Sequence, residues 1–119
     1  NKLSKQGAKF DAGLLYLKNT SKDGHIITGQ NPWSAWAVAE QVIATLGHKP
    51  KTRKLTAEEN TVNLLLDYHR RGYEETKQKM KVKKKHYDTN LIVIHAFVSA
   101  MKWQLIDAIH FLLLAHHTQ

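Results

Sequence analysis

Residues 23–40 constrain the local fold more than any other stretch, because they combine a turn, a short strand, a glycine and a helix start. Asp23-Gly24 is a common signal for a two-residue hairpin loop, since glycine adopts a positive φ angle without steric cost. The short apolar runs on either side, residues 14–17 and 25–28, are therefore predicted to pair as antiparallel strands. Their continuous apolar character predicts strands that are covered on both faces.

A helix is predicted directly after this hairpin, over residues 32–46. Gly29 ends the second strand, Asn31 is a good N-cap, and Pro32 suits the first helical position because its missing N–H has no partner there. Gly47 is predicted to end the helix. The apolar positions recur every three or four residues, which predicts one face packed on the sheet. These positions are Trp36, Ala39, Val42, Ile43 and Leu46.

Three short motifs follow one another here: Asp23-Gly24, Ile-Thr-Gly-Gln-Asn-Pro at residues 27–32, and Ser34-Ala35. Their order and spacing resemble the closing segment of the ThiJ/PfpI family. These are the class I glutamine amidotransferase-like proteins. Gly-Ala-Lys-Phe at residues 7–10 resembles a strand entry of that family, and residues 38–47 resemble its last helix. The resemblance covers residues 1–47. It implies the end of a Rossmann-like or flavodoxin-like α/β sandwich, and together with the helical pattern beyond residue 55 it predicts a helix-rich α/β chain.

Proteins of this family act through a nucleophilic cysteine, upstream of the segment that is present here, and this chain contains no cysteine. A thiolate is the reacting species in that chemistry, so no catalytic residue of the family can be placed on this sequence. For a whole protein, the resemblance implies a cysteine hydrolase, a glyoxalase, a deglycase or a chaperone. The chain by itself is predicted to be non-catalytic, without a cofactor, and to serve packing or oligomerisation.

The sequence changes character after residue 47. Residues 48–55 are a basic linker containing Pro50, and residues 56–119 are predicted to form a helical hairpin extension. Thr56 and Glu59 have capping-box spacing, which predicts a helix start. That helix is predicted to run to about residue 84, with Gly72 tolerated inside it. Asp88 or Thr89 is predicted to cap a second helix over residues 90–116.

The second predicted helix is apolar around nearly its whole circumference, because Lys102 and Asp107 are the only charged residues between 91 and 115. Two charges within the window make a membrane span unfavourable, so we expect a buried helix rather than a span. Such a helix needs several partners, which predicts a homo-oligomer, a partner chain or a missing N-terminal portion. Absence of cysteine and of an apolar leader favours a cytoplasmic location.

The formal net charge is +8, and much of the excess lies in one run with six lysines in nine positions. A solvated helix face is one interpretation. The alternative function is a basic helical module that binds nucleic acid or an acidic protein partner, and an anionic membrane surface would also attract it. The predicted binding patch consists of Arg70, Arg71, Lys77, Lys79, Lys81, Lys83, Lys84 and Lys85.

The eight histidines do not have the spacing of a metal site. Asp107 and His110 are three residues apart, which favours a local hydrogen bond over metal ligation. Three indoles are predicted to be interface anchors, because an indole buries a large area and retains one donor. They are Trp33, Trp36 and Trp103.

Overall fold

The computed structural model describes residues 2–83 and 85–118. They fall into two compact units, Asn1–Thr52 and Arg53–Gln119. The first unit contains α1 (Lys2–Lys5), β1 (Thr20–Asp23), β2 (Ile26–Gly29), a 3₁₀ turn (Pro32–Ser34) and α2 (Ala35–Thr45). The second contains α3 (Ala57–Arg71), α4 (Tyr73–Val82), α5 (Thr89–Met101) and α6 (Leu105–His116). The described part of the chain is thus helix-rich α/β, with a two-stranded antiparallel sheet.

A two-residue hairpin turn is present, shifted by one residue from the predicted Asp23-Gly24 loop, and it selects a different first strand. Thr20 pairs with Gly29 and Asp23 with Ile26, so the two-residue loop is Gly24-His25. Gly24 has a φ of +54°, and His25 is not in the positive-φ region, which is the pattern of a type II′ turn. A loop this short requires that the first strand end at Asp23, because the turn sets the register.

The strand predicted over residues 14–17 is therefore wrong. This stretch forms turns, and Tyr16 has a left-handed backbone with a φ of +58°. Leu17 is fully buried, while Leu14 and Leu15 are exposed. The apolar run thus supplies one core side chain to the first unit instead of a strand covered on both faces.

Helix α2 confirms the predicted element and its C-terminal signal. Gly47 has a φ of +81°. Its N–H donates to the carbonyl of Ala44, and the N–H of His48 donates to that of Ile43. This pair of bonds is the Schellman motif. The predicted packing face is largely wrong. Ala39, Val42, Ile43 and Leu46 are exposed, and of the predicted residues Trp36 is half-buried, together with Ala37, Val38 and Gln41.

The capping box that begins the second unit is confirmed. The Thr56 hydroxyl accepts from the N–H of Glu59 at 3.2 Å, and the Glu59 carboxylate accepts from the N–H of Thr56 at 3.0 Å. The single helix predicted up to residue 84 is instead two helices. Gly72 has a φ of 83° and a ψ of −179°, a conformation that is essentially restricted to glycine, and the chain changes direction there.

The helix predicted over residues 90–116 is also interrupted. Asp88 is its N-cap, as predicted, and accepts from the N–H of Leu91 at 3.2 Å. Trp103 then takes a left-handed φ of +60°. Its N–H donates to the carbonyl of Ala100, and the N–H of Gln104 donates to that of Ser99. This is a second Schellman motif, with tryptophan where glycine is usual.

Helices α5 and α6 form an antiparallel helical hairpin, since the hydroxyls of Thr89 and Thr118, at its open end, lie 2.7 Å apart. The core of the second unit joins this hairpin to α3. Its fully buried side chains include Val62, Leu65, Ile92, Phe111 and Leu114. Within residues 2–83 and 85–118, no helix has the length and apolarity that crossing a membrane requires.

The ion pair between Arg53 and Glu59 predicts how the free energy of unfolding responds to acid. The Arg53 guanidinium, 2.6 Å from both carboxylate oxygens, lowers the pKa of Glu59 below its ordinary value of 4.5. A lowered pKa contributes stability that is complete above the unfolded value and is lost as the pH falls through the folded value. The free energy of unfolding, measured with urea, should therefore decrease below about pH 4.5, and less steeply in Glu59→Gln.

Glu58→Gln is the matched control, because it removes a carboxylate from the same turn and leaves the pair between Arg53 and Glu59 in place. Equal acid slopes for the parent chain and Glu59→Gln would contradict the expectation.

Candidate interaction surface and polar cluster

In the first unit, the side chains of the motif at residues 27–35 hold the preceding loop. The Asn31 amide donates to the carbonyl of Leu17 at 2.7 Å, and the Ser34 hydroxyl accepts from the N–H of Asn19 at 3.0 Å. The Gln30 side chain accepts from the N–H of Gly13 at 2.8 Å and donates to the carbonyl of Leu14 at 3.1 Å. Asn31 thus starts the helix by position, and its side chain binds the loop instead of capping.

Gly29 is required at its position by a close approach. A Cβ atom there would lie 2.8 Å from the Cβ of Ser34 and 3.0 Å from the Cγ2 of Val38, both of which lie in the helical segment. The strand and the helix could not pack this closely with a larger residue. The motif therefore acts as structural support in this unit, and its polar side chains are engaged by the loop.

In the second unit, Tyr68 lies between the two residues that the sequence predicts to pair locally. Its hydroxyl donates to Asp107 Oδ1 at 2.6 Å and lies 2.8 Å from His110 Nδ1. Since the single hydroxyl proton goes to the carboxylate, His110 must donate its Nδ1–H to the tyrosine oxygen. The expected Asp107 and His110 pair is thus joined through a third residue from α3.

This polar cluster, Tyr68, Asp107 and His110, is covered by aromatic rings. Tyr73 stacks on the His110 ring with centroids 4.6 Å apart and planes 14° apart, and Lys77 Nζ lies 5.3 Å from the Tyr73 centroid. Burial, and then the hydrogen bond and charge of Asp107, raise the pKa of Tyr68. Tyr68 therefore remains a neutral donor, and its hydrogen bonds join α3 to α6.

The structure divides the predicted basic patch into engaged and outward-facing residues. Lys79 forms an ion pair with Asp67, and Arg71 lies 3.9 Å from both Asp67 and Glu75. Arg70, Lys81, Lys83 and Lys85 are exposed. Lys84 lies outside the described residues. Helix α4 ends at Val82, so the patch runs from a helix into a loop.

The three indoles have different surroundings. Trp33 and Trp36 are half-buried at the start of α2, whereas Trp103 is 87% exposed at the turn of the hairpin. A left-handed backbone at a bulky residue costs about 1–2 kcal/mol. Of the three, Trp103 is thus the one that the fold presents to solvent in a strained conformation.

Helices α5 and α6 each carry a second apolar face opposite their buried seam. The buried positions of α5 include Ile92, His95 and Ala96, and those of α6 include Ala108 and Phe111. The opposite positions, normally polar on a surface helix, are large and apolar here. We call them the outer face of the hairpin. They are Val93, Ile94, Phe97, Met101, Trp103, Leu105, Ile106, Ile109, Leu112 and Leu113.

The outer face is large enough to be an interface. Each of its side chains is more than two-fifths exposed. With full areas on the order of 150–250 Å² for large side chains, together they present roughly 1,000 Å². A stable protein interface buries about 800 Å² on each partner, and contiguous apolar patches above about 600 Å² are unusual on monomers.

Comparison of the chain with protein-family models, curated proteins and solved structures finds no match. The resemblance to the ThiJ/PfpI family therefore stays a prediction. Among residues 2–83 and 85–118, no group of three or more His, Asp or Glu side chains is placed to hold a metal ion.

Two features of the second unit are not predicted by its sequence. Tyr68 gives no local signal, because its partners lie 39 and 42 residues away. The outer face belongs to a helix that the sequence predicts to be buried on all sides, since the pattern does not reveal the break at Trp103. Its sequence signal is the apolar residue at most positions from 91 to 114.

Tyr68→Phe tests whether the polar cluster holds α3 to α6. The change removes one hydroxyl and leaves Asp107 and His110 with unsatisfied polar atoms, which should lower the free energy of unfolding by about 1–3 kcal/mol. Urea unfolding monitored by circular dichroism measures this. Tyr73→Phe is the control, since it keeps the ring that stacks on His110. Equal stabilities for the two variants would contradict a structural role for the cluster.

Proposed function

We propose that this chain is a non-catalytic association module, which pairs with a second copy of itself through the outer face of the α5 and α6 hairpin. The observation that carries the proposal is the large apolar residue at most of the solvent-facing positions of both helices. Burying that face removes roughly 1,000 Å² of apolar surface from water on each copy, at about 25 cal/mol for each Å².

The charge distribution favours a second copy over an acidic partner. Two copies that each carry +8 repel one another in general. The side chains of the outer face are themselves uncharged, so burying them against a second copy requires no carboxylate on the partner. An acidic partner would instead be recognised by lysines, and between residues 91 and 115 the chain has one lysine, Lys102, which is exposed at the end of α5. A two-fold pairing needs only that the face be complementary to itself.

Trp103 is the anchor that this pairing would use. It is the most exposed residue of the outer face, and its backbone has a left-handed φ that glycine would adopt without strain. Tryptophan is among the residues that contribute most to binding energy at interfaces. The indole therefore contacts the second copy in the proposed dimer, and the backbone strain is the energetic cost of exposing the indole at this position.

Trp103→Gly separates association from folding. Glycine relieves the left-handed strain, so the monomer should become more stable by about 1 kcal/mol, while loss of the indole weakens pairing. Analytical ultracentrifugation should show the parent chain at twice its mass of 13.6 kDa and the variant shifted toward the monomer.

Val82→Ser is the matched control, because Val82 is a similarly exposed apolar residue of the same unit that lies on α4. It should associate like the parent. A parent chain that stays monomeric at high concentration would contradict the proposal. A monomeric parent chain that binds anionic lipid vesicles through the same face would also contradict it.

For residues 1–47 we propose the origin that the resemblance implies, the end of a Rossmann-like or flavodoxin-like sandwich of the ThiJ/PfpI type. One feature supports it. Ile26 and Leu46 are more than two-thirds exposed, as expected of apolar residues that further strands and helices of a sandwich would cover.

The coding sequence upstream of residue 1 tests this origin. It should encode a strand, a sharp turn with a Gly-x-Cys-x-Gly-like pattern and a helix, because the nucleophile must stand on such an elbow. The present chain, which has no cysteine, should consume no methylglyoxal above the buffer rate. An upstream frame without an elbow, or clear turnover by this chain alone, would contradict the assignment.

A further inference from the structure

A cleft of about 550 Å³ lies in the second unit, between the end of α4, the loop after it and the end of α6. Its size is within the range of about 300–1,000 Å³ that is typical of small-molecule sites. The side chains that matter for binding are Met80, Lys81, Lys85, His86, Tyr87 and His117. Two lysines and two histidines thus line it together with two large, mainly apolar side chains.

The loop that forms one wall is held in place by α3. The Asn60 amide donates to the carbonyl of His86 at 3.1 Å, and the Thr61 hydroxyl accepts from the N–H of Asp88 at 2.8 Å. On the opposite wall, the Thr118 hydroxyl donates to the carbonyl of Ala115 and lies 2.7 Å from the Thr89 hydroxyl. Both walls are therefore tied to helices of the same unit.

The charge of the cleft is not neutralised by the neighbouring carboxylates. Asp67 is paired with Lys79 and Arg71, and Asp88, whose carboxylate accepts the N–H of Leu91, is not among the residues that line the cleft. Among the lining residues that the structure describes, the formally charged ones are Lys81 and Lys85. Both are exposed, so their ammonium groups are available to a ligand.

We propose that this cleft binds a small phosphate-bearing molecule. Lys81 and Lys85 supply the two cationic groups, which suits a ligand with two linked phosphates better than a single monoanion. The imidazoles of His86 and His117 supply ring N–H donors to the remaining oxygens. Met80 and Tyr87 offer an apolar wall to any organic part of the ligand.

This cleft is a different site from a nucleic-acid interface that would use the whole lysine run, residues 77–85. Lys77 lies over the Tyr73 ring and Lys79 is paired with Asp67, so part of the run is engaged within the fold. The cleft has a volume suited to a small molecule, whereas a nucleic-acid groove must continue past the protein. The residues that matter are therefore the four basic ones of the cleft, two of which lie outside the run.

Titration of the full chain with inorganic pyrophosphate at low salt tests the proposal. Calorimetry measures the affinity for pyrophosphate, and NMR of the histidine rings locates the binding site on the chain. We expect saturable binding, shifts in the resonances of His86 and His117, and none at His25, which is exposed in the first unit. Lys81→Gln with Lys85→Gln should weaken binding by about tenfold or more.

Lys49→Gln with Lys51→Gln is the control, because it removes the same two charges from exposed positions in the first unit. It should bind pyrophosphate like the parent. Comparison of pyrophosphate with ADP then tells whether the organic part contributes. Equal weakening in both double variants, no saturable binding by the parent, or ring shifts spread over all histidines would each overturn the proposal. Tighter binding of a DNA duplex that both double variants weaken equally would also overturn it.

Discussion

The left-handed backbone of Trp103, with a φ of +60°, makes the second unit possible. Residues 91–115 would otherwise extend as one apolar helix that a single preceding helix cannot cover. The two Schellman hydrogen bonds, from Trp103 to Ala100 and from Gln104 to Ser99, satisfy the end of α5 and reverse the chain. The two resulting helices then bury one face against each other and α3. The reversal also leaves each helix with an outer apolar face.

Carboxylates secure the junctions between the helices of this unit. Glu59 closes the capping box of α3 and binds Arg53, while Asp67 joins α3 to α4 through Lys79. Asp88 caps α5, and Asp107 accepts from Tyr68 across the packed helices. The chain has ten acidic residues and eighteen Lys and Arg residues. Because these carboxylates are bound within the fold, an excess of positive charge remains on the surface. That surplus is concentrated where α4 ends, beside the cleft.

The first unit depends on polar side chains more than on an apolar core. Leu17 is its buried large apolar side chain among the described residues. Ser34 is also buried, and its hydroxyl bonds to the N–H of Asn19 and the side chain of Asn31. A loop held by amide and hydroxyl groups tolerates apolar residues on its surface, such as Phe10 and Leu15. The exposed apolar residues of α2 and β2 belong to the same pattern.

The sequence alone determined the features that depend on neighbouring residues. The Gly24 turn, the caps at Thr56 and Asp88, and the Gly47 helix end each involve groups within five residues, so their signals are local. The tertiary structure decided what depends on distant partners. The turn placed the first strand at Thr20–Asp23, Tyr68 bound residues about forty positions away, and Gly72 and Trp103 each divided a predicted helix. Helical periodicity does not report such breaks, because the apolar pattern continues through them and only packing stabilises the reversal.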